Sequence, residues 1–510
     1  MAENSPSGNV HLTSGRLLAR NTIWNILGQI VPMVVGVATI PIIIRGLGVE
    51  RFGVLSLAWV VVGYFSLFDL GIGRALTKFV ADKLGADEVN SIPPLACTAL
   101  VLMLLLGIVG AVITAAFSPW LVHRLLKVSE TLQPETLRGF YLLAASIPLV
   151  TTTAGLRGIL EALQRFRVIN AIRIPMSVFS FAAPLLALPY SHSLVPVIAM
   201  LVVARFFGCC VHAWACFRAM PALFRGFSWE RSAVAPLTRY GGWMTVNNIA
   251  GPFMFYIDRF LVGALVSVTA LAYYTTPVDM MLRLVVIPSA VVGVLFPAFA
   301  MSLNQDMTRA GVLLSRGLKY IFLVIFPIVL VVITFAPEGL RLWLGPTFSQ
   351  NGASVLRWAA VGVFLNSLSV LPFNLIQSAG RPDITAWLIA GELPVYSAAL
   401  WFLTRRMGIE GTAIAWAGRL AVEGIVIFVI SQRLLPQTSK FLWKMCIAVL
   451  GGLAIMYAGS LFRDMTIKSV FVAVVLLAFG IVAWFWGLVR VERDYLIGFG
   501  AQTPIRAQQD

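Results

Sequence analysis

The chain has 510 residues, 59% of them hydrophobic and 12% charged, with a mean hydropathy of +0.88. So little polar surface cannot cover so much apolar side chain in water, which excludes a soluble globular domain and points to a polytopic membrane protein. The formal charge of +16, from 38 basic and 22 acidic residues, is spread thinly through short connections, so it does not build the basic face of a nucleic-acid binder.

A bilayer core about 30 Å thick takes roughly 20 apolar residues per crossing. After a polar tail at 1–21, the first apolar run lies near 22–44 and exceeds the roughly 7–15 residue core of a cleavable signal, so it is expected to stay as an anchor. It carries Asn25 and Gln29. The next spans are expected near 54–73, with Asp69 at its end, and near 94–117, followed by an amphipathic interfacial helix over Trp120 to Leu132. Further spans follow near 139–156, 174–190 and 194–214, the last with Arg205 between Val203-Ala204 and Phe206-Phe207 and no local acid.

A polar connection at 215–240 leads to the span near 241–263, where Asn247 and Asn248 precede Asp258 and Arg259. These two charges interrupt a strongly apolar stretch at a depth where hydrocarbon penalises them. They either bridge helices as an ion pair or serve a substrate, Arg259 attracting an anionic group while Asp258 orients it or carries a proton. Neighbours on a helix diverge by about 100°, so at least one of them must meet another span or a wet cavity.

The span near 270–298 holds Asp279 and Arg283, and those near 318–336 and 353–378 come next, the latter with Asn366, Asn374 and Gln377. The amides either link helices by hydrogen bonds or line a route for a sugar-bearing head. Glu392, two residues before Pro394, lies in the span near 384–403, and Arg419 and Glu423 lie in the span near 411–432. The spacings Asp279 to Arg283 and Arg419 to Glu423 each allow an ion pair within one helix. Glu392 sits where proline frees a carbonyl and makes a polar niche; it is a candidate proton carrier or the partner of a neighbouring Arg. Spans near 445–462 and 469–489 and a tail at 490–510 close the chain.

With the N-terminus inside, 23 Lys and Arg fall on the cytoplasmic side, 11 on the outer side and four, Arg205, Arg259, Arg283 and Arg419, within the membrane. The positive-inside bias therefore predicts both termini in the cytoplasm. Five cysteines and four histidines show no paired metal-ligand spacing, and no cofactor is expected. Connections of at most roughly 25 residues and the lack of a GxxxxGK[ST] loop leave no seat for ATP hydrolysis or a glycosyltransferase domain. A weak internal repeat pairs Arg20, Trp24, Asn25 and Pro32 with Arg239, Trp243, Asn247 and Pro252, and Asp69-Arg74 with Asp279-Arg283. Repeats of this kind build alternating-access transporters.

Four stretches carry a resemblance to a known family: Ala19-Arg20-Asn21-Thr22, Arg45-Gly46-Leu47-Gly48 through Arg51-Phe52-Gly53, Phe68-Asp69-Leu70-Gly71-Ile72-Gly73, and Tyr256-Ile257-Asp258-Arg259-Phe260-Leu261-Val262-Gly263. The chain resembles, over nearly its whole length, a Wzx-type polysaccharide or O-antigen flippase of the multidrug/oligosaccharidyl-lipid/polysaccharide (MOP) exporter superfamily. That resemblance implies an all-α protein with about 14 transmembrane helices. Two pseudo-symmetric six-helix lobes, at 22–214 and 241–432, would be followed by two extra spans at 433–489. It also implies a bacterial inner membrane, a cationic cavity, and an oligosaccharide on undecaprenyl diphosphate as substrate, with the polysaccharide polymerase and chain-length machinery as partners.

The expected substrate-binding set is Arg259, Arg205, Arg283, Arg419, Asn25, Gln29, Asn247, Asn248, Asn374 and Gln377, and the expected ion-coupling set is Asp258, Glu392, Asp69 and Asp279. Arginine suits a diphosphate because its planar fork gives two hydrogen bonds and stays charged. A lipid II flippase differs only in headgroup. A multidrug extruder of the same fold would favour an acidic or aromatic route, against the four buried arginines. A membrane polymerase or ligase would carry a large outer loop, which is not visible here.

Overall fold

A computed structural model of the chain describes residues 31–32, 34–64, 71–163, 165–224 and 229–487. Among these residues the only regular structure is helical. The helices are α1 (Val34–Leu47), α2 (Val49–Tyr64), α3 (Ile72–Gly85), α4 (Ile92–Trp120), α5 (Gln133–Ala145), α6 (Ile147–Ala162), α7 (Phe166–Ala187), α8 (Leu194–Ala219) and α9 (Arg231–Leu265). They continue with α10 (Val268–Leu282), α11 (Val286–Gln305), α12 (Met307–Thr334), α13 (Ala336–Leu344), α14 (Pro346–Ser378), α15 (Pro382–Leu434), α16 (Ser439–Leu461) and α17 (Met465–Val482).

Among the described residues ten helical segments are long and apolar enough to cross a membrane, against about fourteen expected. The difference has physical sources. The 53-residue α15 enters that number once, yet an unbroken helix of its length would reach about 80 Å at 1.5 Å per residue. It is broken at Gly408, whose φ of 62° and ψ of −139° are left-handed. The Thr404 and Thr412 hydroxyls then meet at 2.9 Å, where a straight helix would hold them about 12 Å apart. The two arms thus form a hairpin. Helix α9 is not among the ten, because Asn247, Asn248, Asp258 and Arg259 dilute its apolarity. The first two expected spans run partly outside the described residues.

Three local expectations need correction. The stretch from Trp120 to Leu132 is not one interfacial helix: α4 ends at Trp120, a π-turn covers Leu121–Leu125, and the backbone is extended at Leu126. Its Lys127 donates from the backbone to Gly263 O at 3.0 Å and from Nζ to Leu265 O at 2.7 Å. A cation on the last carbonyls of α9 satisfies groups that the helix itself leaves open. The span expected near 139–156 begins earlier and breaks at Ser146, just before Pro148. The span expected near 270–298 is interrupted by a 3₁₀ turn at Arg283–Val285.

The chain divides into two compact units, Met1–Thr276 with Leu393–Thr412, and Pro277–Glu392 with Ala413–Asp510. In the first, α3, α4, α6, α8 and the start of α9 close on a core in which Leu76, Val80, Met103, Ile159 and Leu237 are fully buried. Lipid tails are as apolar as leucine, so helices in a bilayer gain from close packing rather than from leaving water. Small residues permit that approach. A Cβ on Gly53 would lie 2.0 Å from Val268 O, and one on Gly107 2.7 Å from Pro148 Cα. At one end Arg51 pairs with Glu135 at 3.2 Å, and Glu135 also accepts from the Leu194 amide, tying α2, α5 and α8.

The second unit is organised around aromatic packing. Phe322, Phe326, Phe364 and Phe479 join α12, α14 and α17, with Phe326 and Phe479 centroids 4.8 Å apart. Lys468, at the start of α17 and almost wholly buried, donates to Glu338 of α13 at 2.7 Å. Val109, Val112 and Phe117 on α4 and Val474, Leu477 and Ile481 on α17 are exposed on the protein surface, which suits helices facing hydrocarbon rather than water.

Candidate substrate and coupling sites

Arg205 occupies the middle of α8. The helical spacing places it on the inward stripe with Leu201, Gly208 and His212, opposite the exposed stripe of Val203, Phe207 and Trp214. It is half-buried, and among the described residues it has neither a hydrogen bond nor an acidic partner. The penalty for an uncompensated guanidinium at the bilayer centre is about 2.5–3.5 kcal/mol on insertion scales and larger in isolation, unless water or an anion solvates it. A guanidinium in such a place is chemically able to receive an anion.

Asp258 and Arg259 are both buried on α9, at 2% and 6% exposure. Asp258 Oδ2 accepts the Tyr274 hydroxyl of α10 at 2.5 Å, and Oδ1 accepts the Arg259 backbone N–H at 2.8 Å. The guanidinium of Arg259 lies 5.2 Å from the ring centroid of Tyr256, one turn earlier, in a cation–π contact. Tyr396, buried on the first arm of α15, lies within electrostatic range of Tyr274. Asp258 meets another span through a neutral hydroxyl. That fixes the carboxylate.

Glu392, Arg419 and Glu423 come together in the second unit. Arg419 Nη2 pairs with Glu423 Oε2 at 3.4 Å within one helix. Glu392 is 9% exposed, neither of its carboxylate oxygens has a hydrogen-bond partner among the described residues, and the charges acting on it are Glu423 and Arg419. Two carboxylates around one guanidinium carry a formal charge of about −1, which a single proton neutralises.

Arg283 is exposed on the 3₁₀ turn and Asp279 half-buried on α10. Asn374 Nδ2 donates to Val370 O at 2.8 Å, so part of its capacity is spent on its own helix, and Gln377 is half-buried on α14. Asn247 and Asn248 lie on α9, and their side chains, like Asn25, Gln29 and Asp69 as a whole, lie outside the described residues. No group of three or more His, Cys, Asp or Glu side chains gathers in metal-binding geometry among the described residues. Sequence reasoning missed Tyr274 and Tyr396, because a tyrosine in an apolar span carries no charge to mark it.

A relative from Shigella flexneri, named "Putative O-antigen transporter", is 29% identical over 410 residues, covering 80% of this chain and 96% of its own. Two solved structures share the fold. The lipid II flippase MurJ, in an inward closed conformation, superposes with a TM-score of 0.68 at 12% identity, covering 91% of this chain and 99% of its own. An inward-facing multidrug resistance MATE family transporter of the MOP superfamily gives 0.67 at 15% identity, covering 81% and 96%. The polysaccharide biosynthesis protein family matches residues 18–303, more than half of the chain. The chain belongs to that family and has the fold of the MATE and MurJ structures.

Proposed function

We propose that this chain moves undecaprenyl-diphosphate-linked oligosaccharide from the inner to the outer leaflet of a bacterial inner membrane by alternating access, for polysaccharide assembly. The observation that carries the reading is Arg205, a mid-span guanidinium with no acidic or hydrogen-bonding partner among the described residues. A diphosphate supplies the missing charge. The oligosaccharide and diphosphate cannot cross hydrocarbon unaided, so the protein must offer them a polar path while the polyprenyl tail stays in lipid. Glu392, with Glu423 and Arg419 beside it, is proposed as the proton-coupling group. A lipid II flippase is the second reading, supported by the close superposition on MurJ; its substrate has the same diphosphate and polyprenyl parts and differs in the sugar-peptide head.

The test is a deletion strain. Loss of the chain is expected to remove a surface glycan and accumulate its lipid-linked precursor inside. Restoration by the wild-type chain should fail or weaken with Arg205→Ala at equal abundance and recover in part with Arg205→Lys. The lost charge-assisted contact corresponds to about 1.5–3 kcal/mol, or roughly 10- to 100-fold in transport rate. Unchanged surface glycan in the deletion strain sinks the assignment.

A further inference from the structure

An apolar groove of about 320 Å³ runs along the first turns of α4, between α6, the end of α8 and the 3₁₀ turn that follows it. Its walls are Leu100, Val101, Leu104, Leu156, Ile159 and Leu223. Between them lie the smaller, half-buried Cys97 and Thr152, with Ala96 and Cys216 fully buried beneath. The groove opens outward: Leu104 is 43% exposed, and it begins the exposed stripe that continues through Leu105, Ile108 and Val112 on α4.

The same end of the unit is cationic. Arg165 stands exposed on the turn after α6 and Arg167 in the first turn of α7, six and eight residues beyond the groove residue Ile159. Arg218, two residues beyond Cys216, is stacked on Trp214 at 5.1 Å. None of the three pairs with an acid among the described residues. Arg157, by contrast, is already matched with Glu161 at 3.3 Å.

We propose that this groove holds the polyprenyl chain of the substrate while its diphosphate rests on Arg165, Arg167 and Arg218, a waiting position on the outside of the first unit before the head is taken up. The proposal rests on the flippase reading above. In a bilayer an apolar chain gains nothing by leaving lipid for protein, so selection has to come from shape and from the charge of the head. A chain with a methyl branch on each unit fits against the smaller Cys97 and Thr152 between bulky side chains, whereas a smooth acyl chain forfeits those dispersion contacts. The three unpaired guanidiniums favour a diphosphate over a single phosphodiester by charge.

The test uses the full chain in phosphatidylcholine nanodiscs and a benzophenone-bearing undecaprenyl diphosphate. Photoadducts are expected within 96–104 and 152–159. Unlabelled undecaprenyl diphosphate should lower them about tenfold, a difference of about 1.4 kcal/mol, and phosphatidylglycerol at the same concentration should not. A bulky maleimide on Cys97 of the folded protein should block the adducts, with Cys97→Ala insensitive to the reagent, which keeps the test valid where Leu100→Trp fails to fold. Equal competition by phosphatidylglycerol, adducts spread over the surface, or no effect of the Cys97 block each overturn the proposal, marking an ordinary lipid contact. Adducts in the groove without any movement of lipid-linked glycan in the same protein sink the transport reading and leave the groove. Glycan movement with adducts elsewhere sinks the groove alone.

Discussion

A carboxylate at 2% exposure has lost its water, and Asp258 recovers part of that solvation from the Tyr274 hydroxyl at 2.5 Å and the Arg259 N–H. Removing that hydroxyl leaves a buried acceptor short of one donor, at a cost of about 1–3 kcal/mol. Tyr274→Phe is therefore expected to lower the melting midpoint of the purified protein clearly. Asp258→Asn, which keeps an oxygen for the same bond, should lower it less. Equal midpoints for the wild type and Tyr274→Phe would falsify the anchoring role. The carboxylate was legible in the sequence as a charge interrupting an apolar run, and so were Arg205, Glu392 and Arg419. Their partners were not. Tyrosine passes as an ordinary apolar residue in a hydropathy profile, and nothing in local spacing reports that Glu392 shares the field of Glu423 and Arg419 some 30 residues on.

The two arms of α15 come together where side chains almost vanish. A Cβ on Gly411 would lie 2.1 Å from the carbonyl oxygen of Leu403, a backbone atom that cannot rotate away. Gly418, on the second arm, has nothing within 4 Å of the same position. Gly411→Ala is accordingly expected to lose most folded protein in the membrane, while Gly418→Ala, which gains helix propensity of up to about 1 kcal/mol, is expected to accumulate normally. Comparable amounts of the two variants on a size-exclusion profile would argue against the tight hairpin. The two spans near 384–403 and 411–432 could be told apart in the sequence because Arg405, Arg406, Gly408 and Glu410 break the apolar run. The interruptions inside α5–α6 and α10–α11 were not visible. Ser146 and the turn at Arg283–Val285 change the backbone without changing the average apolarity that marks a span. Helices α3 and α13 lie outside the apolar runs and so left no hydropathy signal either.

At the scale of the whole chain the distribution of charge bears on both the predicted orientation and the proposed driving force. The bias of 23 Lys and Arg to 11 predicts cytoplasmic termini, so in a cysteine-free background a membrane-impermeant thiol reagent applied to spheroplasts should label Ser191→Cys and spare Arg381→Cys. The reverse pattern inverts the topology. With that orientation, the proposed substrate, a diphosphate carrying about two negative charges, would move outward down an inside-negative potential, a gain of about 4–5 kcal/mol per 100 mV. Under the proposed function voltage is one source of direction, and proton exchange at Glu392 is proposed as a second, because two acids sharing the field of Arg419 are neutralised by a single proton. The two separate in proteoliposomes given either a potassium-diffusion potential or a pH step. The wild-type chain is expected to respond to both. Glu392→Gln, neutral at every pH, should keep the response to potential and lose the response to the pH step. A full pH response in that variant removes Glu392 from coupling, and indifference of the wild type to potential means that the transported species carries no net charge across the field.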